Sequence, residues 1–301
     1  MYSIKSISVI IPVYNDKENL EKCLTSLFVT EFKDFEVVVV DDGSGQDVAS
    51  IVNRFSCKFI KLSSNKGQAY ARNAGVKESQ GDIILFTDSD CLVMKDWVRI
   101  MSEELIRSNH DSKDIIAVGA RLESGKGFFQ VCHAFAGYAY VQGGARRFVD
   151  YLNTAGVAIY KKSFLEVGGF SEDMRVSEDQ DLALKLVEKG CRIVFEPSIY
   201  VFHNHKVRTL RQLLLEHLRW GKNIGLKLFK RHKNQKGVLA RLLLNPFTHL
   251  LLLIPIAFLT TAKIICYNIR EDNKVLIYAL FIFLSKIFFR WGIFLGRRNY
   301  A

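Results

Sequence analysis

Two carboxylates two residues apart, Asp88 and Asp90, flank Ser89 at the end of an apolar run, Asp82–Thr87 (DIILFT). At a strand end, both side chains can reach one small hard cation and the diphosphate it neutralises. Mg2+ and Mn2+ prefer this set of carboxylate and phosphate oxygens. Asp and Ser also favour turns and helix caps, so the triplet alone fits a cap for the next helix too.

Three other polar clusters carry chemistry-bearing types. Asp41-Asp42-Gly43-Ser44 follows the run Glu36–Val40 (EVVVV), where a carboxylate beside Gly can meet a nucleobase or ribose; a turn opening a helix is the alternative. In the stretch Asn65–Gly75 (NKGQAYARNAG), Lys66 and Arg72 stand near a helix start, where backbone N–H groups already favour anions. In Ser177–Leu182 (SEDQDL), Glu178, Asp179 and Asp181 sit where a helix dipole favours acids, and capping accounts for such a cluster. One of these carboxylates can equally act as a general base on an acceptor hydroxyl. His203 and His205 follow the strand-like IYVF, where an imidazole can complete a metal site.

The elements that must position these groups alternate. Ser8–Val13, Glu36–Val40, Cys57–Leu62 and Asp82–Thr87 are continuous apolar runs, as expected of strands covered on both faces. Between them, Lys17–Phe28, Lys66–Ser79 and Lys95–Arg107 have helical character. The alternation predicts an α/β domain with a doubly wound, mainly parallel sheet, whose ligands bind at the carboxyl ends of the strands. Beyond residue 115 the pattern is irregular. Asn153–Tyr160 and Arg192–Phe202 read as strands; Glu178–Lys189 and Arg208–Lys230 read as helices.

The charge is divided sharply. Residues 1–205 carry 24 Lys/Arg against 28 Asp/Glu, a net of −4, while residues 206–301 carry 18 against 3, a net of +15. The basic excess therefore sits beside the most apolar part of the chain, which points to anionic lipid rather than nucleic acid. Leu242–Ala262 is free of formal charge and long enough to cross a bilayer core; Asn273–Gly296 is apolar apart from Lys286 and Arg290. One or two transmembrane helices are expected there, with a buried hairpin as the alternative. The positive-inside rule then puts the basic segments on the cytoplasmic side. Six scattered cysteines without a CxxC pair, and no signal-peptide pattern after Met1, agree with a reducing, cytoplasmic setting at the inner membrane.

Taken in order, SVIIPVYND, VVVVDDGS, NKGQAYARNAG, FTDSD, TAGVAIYKKSFLEVGGF, SEDQDLALKL and VFHNHKVRTL resemble the successive blocks of glycosyltransferase family two over roughly residues 6–221. The resemblance implies the GT-A fold, a nucleotide-sugar donor, a divalent metal (Mg2+ or Mn2+) and inverting transfer to a glycan or lipid-linked acceptor, with a polyprenyl phosphate as the alternative. It implies that Pro12, Tyr14 and Asp42 line the nucleobase pocket, and that Asn65, Lys66 and Arg72 approach the base or phosphates. Asp88, with Ser89, would meet the donor, Asp90 and Asp88 the metal, and His203 the metal or diphosphate. Asp179 would be the catalytic base, with Glu178, Arg208, Arg219 and Trp220 toward the acceptor or diphosphate. This chain has Gly156 and Lys185 where many relatives carry Asn and Arg. It has Glu216-His217-Leu218-Arg219-Trp220 where processive synthases carry Gln-x-x-Arg-Trp, which favours distributive transfer. A dehydrogenase is excluded because no GxGxxG follows the first strand. The expected division is a catalytic domain at 1–206, a basic membrane-proximal segment at 207–241 and a hydrophobic hairpin at 242–301.

Overall fold

The computed structural model describes residues 6–139, 144–224, 245–270 and 272–296. The chain divides into two units, Met1–Glu123 with Gly144–Asn204, and Ser124–Gly143 with His205–Ala301.

The first unit is built on a sheet. Strands β1 (Ile7–Val13), β2 (Glu36–Asp41), β3 (Lys58–Lys61) and β4 (Ile83–Phe86) run parallel in the order β3-β2-β1-β4. Helices α1 (Lys17–Phe28), α2 (Ala49–Val52) and α3 (Gln68–Glu78) make the crossovers. Every residue of β1 and β4 is buried, as their unbroken apolar runs require. Gly75 lets α3 lie close on the sheet, since a Cβ there would come within 2.5 Å of Ile10 Cγ2.

The parallel arrangement holds for these four strands, and beyond β4 the sheet is mixed. β5 (Cys91–Val93), β6 (Ile115–Ser124), β7 (Arg147–Val149), β8 (Val157–Tyr160) and β9 (Arg192–His203) extend it as β4-β8-β6-β9-β5, with β7 also on β9. β4–β8, β6–β8, β5–β9 and β7–β9 are antiparallel. Helix α4 (Trp97–Asp111) precedes β6, and α5 (Phe128–Ala134) belongs to the second unit. Helices α6 (Lys161–Glu166) and α7 (Glu178–Glu188) complete the first.

In the second unit, a π-helical turn, Phe135–Ala139, continues α5. It is joined by α8 (Leu210–Ile224), α9 (Pro246–Asn268), a 3-10 turn (Asn273–Tyr278) and α10 (Ala279–Gly296). The Asn245 side chain accepts hydrogen bonds from Phe247 N and Thr248 N, which together with Pro246 at the first position starts α9. Cys132, Phe135, Leu213, Ile264, Val275 and Ile282 form its core. That packing draws Ser124–Gly143 away from the 1–206 catalytic stretch expected from the sequence. Lys286 interrupts an apolar run because its ammonium donates to the Ala136 carbonyl inside this unit. The expected helix Arg208–Lys230 is seen as far as Ile224; the rest of it, and most of the basic run to residue 241, lie outside the described residues.

Candidate active site

The Asp88–Asp90 segment is a tight turn between β4 and β5. Thr87 Oγ1 donates to the Ala155 carbonyl at 2.9 Å, and Cys91 N closes the turn on the Asp88 carbonyl at 3.0 Å. β5 then pairs with the end of β9 so that Cys91 stands opposite His203, and Asn204 N donates to the Asp90 carbonyl at 2.9 Å. This register brings Asp90 Oδ1 to 3.0 Å from His203 Nε2. Burial alone would lower the His203 pKa, yet the Asp90 carboxylate, with Asp88 behind it, raises it above the ordinary value.

One ligand atom each from Asp88, Asp90, Cys91 and His203 lies within 4.8 Å of all the others. Cys91 is fully buried, and its sulfur is a soft donor that a hard cation does not select. Two carboxylates and an imidazole remain, a donor set that fits Mn2+ or Mg2+ with room for phosphate oxygens.

Arg72, expected near the base or phosphates, instead turns inward. It is 1% exposed; Nη2 reaches Asp88 Oδ1 at 2.5 Å and Nη1 reaches Glu178 Oε1 at 2.7 Å. One turn earlier on α3, Gln68 Nε2 donates to the same Glu178 oxygen at 2.6 Å. Glu178, expected toward the acceptor, is thus a buried anchor. The Asp88–Arg72–Glu178 chain fixes the metal-side carboxylate and the start of α7 in one frame. Replacing Arg72 with Met leaves Glu178 buried without its cation. Such a broken pair costs about 3–5 kcal/mol, so the melting temperature should fall steeply, and a variant that melts like the wild type would rule out this structural role.

Glu178 sets the place of Asp179, the second residue of α7, which is half-buried. Burial, then the neighbouring Glu178 charge, raises the Asp179 pKa to about 7. Ser177, the residue just before α7, holds a left-handed φ of 63°, rare for a residue with a side chain. Asp181, the third acid of the cluster, is fully buried, held by Ser171 Oγ at 2.6 Å and Lys185 Nζ at 3.3 Å. Its partners, Ser171 and the i+4 Lys185 of the same helix, separate this structural acid from the candidate base.

At the ends of β1 and β2, Asp42 is 3% exposed and accepts from Asn65 Nδ2, Lys66 N and Gly67 N at 2.9, 2.7 and 2.9 Å. Those bonds delay the start of α3 to Gln68 and hold the loop ahead of it. Gly43 (φ +74°) is required because a Cβ there would lie 2.5 Å from the Ser64 carbonyl carbon. Pro12 and Ser89 are buried, Tyr14 is half exposed and Lys66 is exposed. Two neighbours complete this corner. Asp41 is buried with Oδ2 unpartnered, and Arg175 reaches Asn65 Oδ1 at 2.7 Å. The adjacent DD pair signalled the first; a lone Arg before α7 gave no signal for the second.

Arg208, Arg219 and Trp220 belong to the second unit. There the Arg208 guanidinium donates to the His205 carbonyl, Arg219 pairs with Glu216 at 2.6 Å, and Trp220 packs on His133 and His217.

Residues 8–167 match the model of the family described as "Glycosyl transferase family 2". A pre-mycofactocin glycosyltransferase of Mycobacterium tuberculosis is 29% identical over 217 residues, 68% of this chain and 44% of that protein. A poly-beta-1,6-N-acetyl-D-glucosamine synthase of Staphylococcus aureus is 27% identical over 205 residues, 64% of this chain and 48% of its own length. The chain thus spans less than half the length of these two relatives. Among solved structures, mannosyltransferase PcManGT from Pyrobaculum calidifontis, in complex with GDP-Man and Mn2+, aligns with a TM-score of 0.59 at 19% identity. That match covers 78% of this chain and 66% of PcManGT, and the shared fold is the GT-A glycosyltransferase fold.

Proposed function

The chain belongs to glycosyl transferase family 2, and from that premise we propose that it transfers a sugar from a nucleoside-diphosphate sugar to an acceptor hydroxyl with inversion. The observation that carries this reading is the pair Asp90–His203 together with Asp88–Arg72–Glu178, whose last member is the sequence neighbour of Asp179. It ties a cation-fitting cluster to a carboxyl group that titrates near neutral pH.

Asp90, Asp88 and His203 would hold the divalent metal, which when bound offsets the charge of the departing diphosphate. Asp42 holds the Asn65–Gly67 loop in the shape that presents Lys66 to the donor. Tyr14, beside buried Pro12, offers an exposed ring for the base. Asp179 takes the proton of the acceptor hydroxyl, whose oxygen bonds to the anomeric carbon as the bond from that carbon to the diphosphate oxygen breaks. Attack opposite the leaving group inverts the centre, and positioning supplies much of the remaining acceleration.

The basic second unit, with its exposed apolar residues on α9, supports attachment to the cytoplasmic face of a membrane. It also supports a lipid-linked saccharide as acceptor. Incubating the full chain with a panel of nucleotide sugars and a membrane-lipid extract tests the reading. Products carrying one added sugar by mass spectrometry, lost on chelation and restored by Mn2+, are expected. A polyprenyl-phosphate product would move the acceptor to that class. Donor binding with no turnover for any acceptor would mark a non-catalytic binding protein instead.

A further inference from the structure

Helix α9 and the segment Asn273–Gly296 are each long and apolar enough to cross a membrane. Yet α10 is flanked by amphipathic elements of its own unit that also carry exposed charge. Beside its start, Phe128 and Phe129 of α5 pack on Phe281 at 5.2 and 5.7 Å, two residues after the exposed Lys126. Along its second half runs α8. A Cβ added at Gly292 would collide with the Leu218 carbonyl, and one at Gly296 with that of Lys222, while one at Gly221 would collide with the Phe289 carbonyl. Leu218 with Gly292 and Lys222 with Gly296 advance together by four residues, so α8 and α10 run parallel at backbone contact.

That register has a consequence for depth. Carried back along α8, it brings the exposed Arg211 level with Ser285, about 17 Å from Gly296 at 1.5 Å per residue. If α10 crossed a bilayer with Gly296 at one interface, Arg211 would sit close to the midplane of a core about 30 Å thick. The ion pair Glu216–Arg219 would lie partway down. Exposed charge at that depth is among the costliest placements in a membrane protein.

The outer surface offers an alternative that removes this cost. Phe247, Leu251, Ile254 and Phe258 are each more than 60% exposed and recur at helical spacing on one side of α9; Ile277 and Leu280 are exposed to the same degree. Lys263, nine residues or two and a half turns beyond Ile254, is exposed on the other side. An apolar face with charge behind it is the pattern of a helix lying in an interface. With a net of +15 over residues 206–301, the complementary partner is an anionic lipid surface.

We infer that the second unit docks in the plane of an anionic bilayer, with α9 and α10 lying in one leaflet and neither crossing it. The inference rests on the membrane-attached reading above and sharpens it: the turn between the helices stays on the same side of the membrane as the catalytic sheet.

Two measurements on the full chain test it. Flotation of the purified protein with phosphatidylglycerol-containing vesicles should exceed that with phosphatidylcholine vesicles. It should drop at least tenfold in an Ile254→Asp/Phe258→Asp variant whose circular dichroism is unchanged. For sidedness, Cys is introduced at the exposed Asn273 or Lys189, in a Cys266→Ser background expressed in a bacterial host. A membrane-impermeant thiol reagent should label both positions from the same side, scored against the parent chain. Labelling of position 273 from the opposite side to 189 would overturn the in-plane geometry and leave membrane attachment standing. Failure to float with either vesicle would overturn attachment and the in-plane geometry with it.

Discussion

Replacing Asp90 with Asn should lower turnover at least a thousandfold while the fold survives. Asp90 is the carboxylate at the end of the β4–β5 turn whose partner is an imidazole, at 3.0 Å, rather than a guanidinium. Asp90 and His203 can face one metal together, whereas Asp88 also shares its charge with the buried Arg72 at 2.5 Å. Loss of a preorganised charge that acts on a developing diphosphate costs about 10²–10³ in rate or more, and here the metal would be weakened with it. The amide keeps the shape and can still hydrogen-bond to His203, which can give up its proton once the carboxylate is gone, so the fold should survive. Mn2+ titration followed by calorimetry should show weakened binding alongside the kinetic loss. Asp88→Asn should lose less, since the Asp88 charge is already shared with Arg72 and the amide oxygen can still accept from that guanidinium. Turnover of Asp90→Asn within tenfold of wild type would remove the cluster from the mechanism.

The sequence carries the positions of these groups further than it carries their roles. β1, β2 and β4 announce themselves as unbroken apolar runs because a strand covered on both faces has no solvent side to mark with polar residues. Asp42 and Asp90 follow directly as strand-end residues. Register is a different matter. β5 is only three residues long, and nothing in Cys91–Val93 shows that it will lie against the end of β9 with Cys91 facing His203. Arg72 reads as a cation for the base or phosphates beside a helix start, and its pairing with Glu178 is not legible because that partner is 106 residues away in sequence. The three acids of SEDQDL look alike in one dimension. Asp181 is separated from Asp179 by Ser171 and Lys185, and the pattern of apolar residues does not encode that distinction. For the same reason Ser124–Gly143 could not be assigned to the second unit, since its Gly and aromatic content has no period and its partners, Ile264, Val275 and Ile282, come more than a hundred residues later.

The second large effect separates Asp179 from its neighbours by moving activity and stability in opposite directions. A general base contributes about 10²–10⁴ in rate, so Asp179→Asn should lose turnover by that order. The wild type should gain activity as pH rises toward about 7, where the carboxyl ionises, and the residual activity of the variant should lack that limb. Stability follows from the same shift. The folded carboxyl keeps its proton up to about 7, while the unfolded one gives it up near its ordinary value of 3.8. Between those two values the folded state binds more protons, so stability falls as pH rises through the window and stays low above it. Asn carries no charge at any pH and escapes that loss. The variant should therefore melt higher than wild type at pH 8, and the difference should vanish below pH 4. Asp181→Asn gives the contrast: its carboxylate is held by Ser171 and Lys185, so it should melt lower at pH 8. If Asp179→Asn melted lower as well, or kept its turnover, Asp179 would be a structural acid like Asp181 and the base would have to be sought elsewhere.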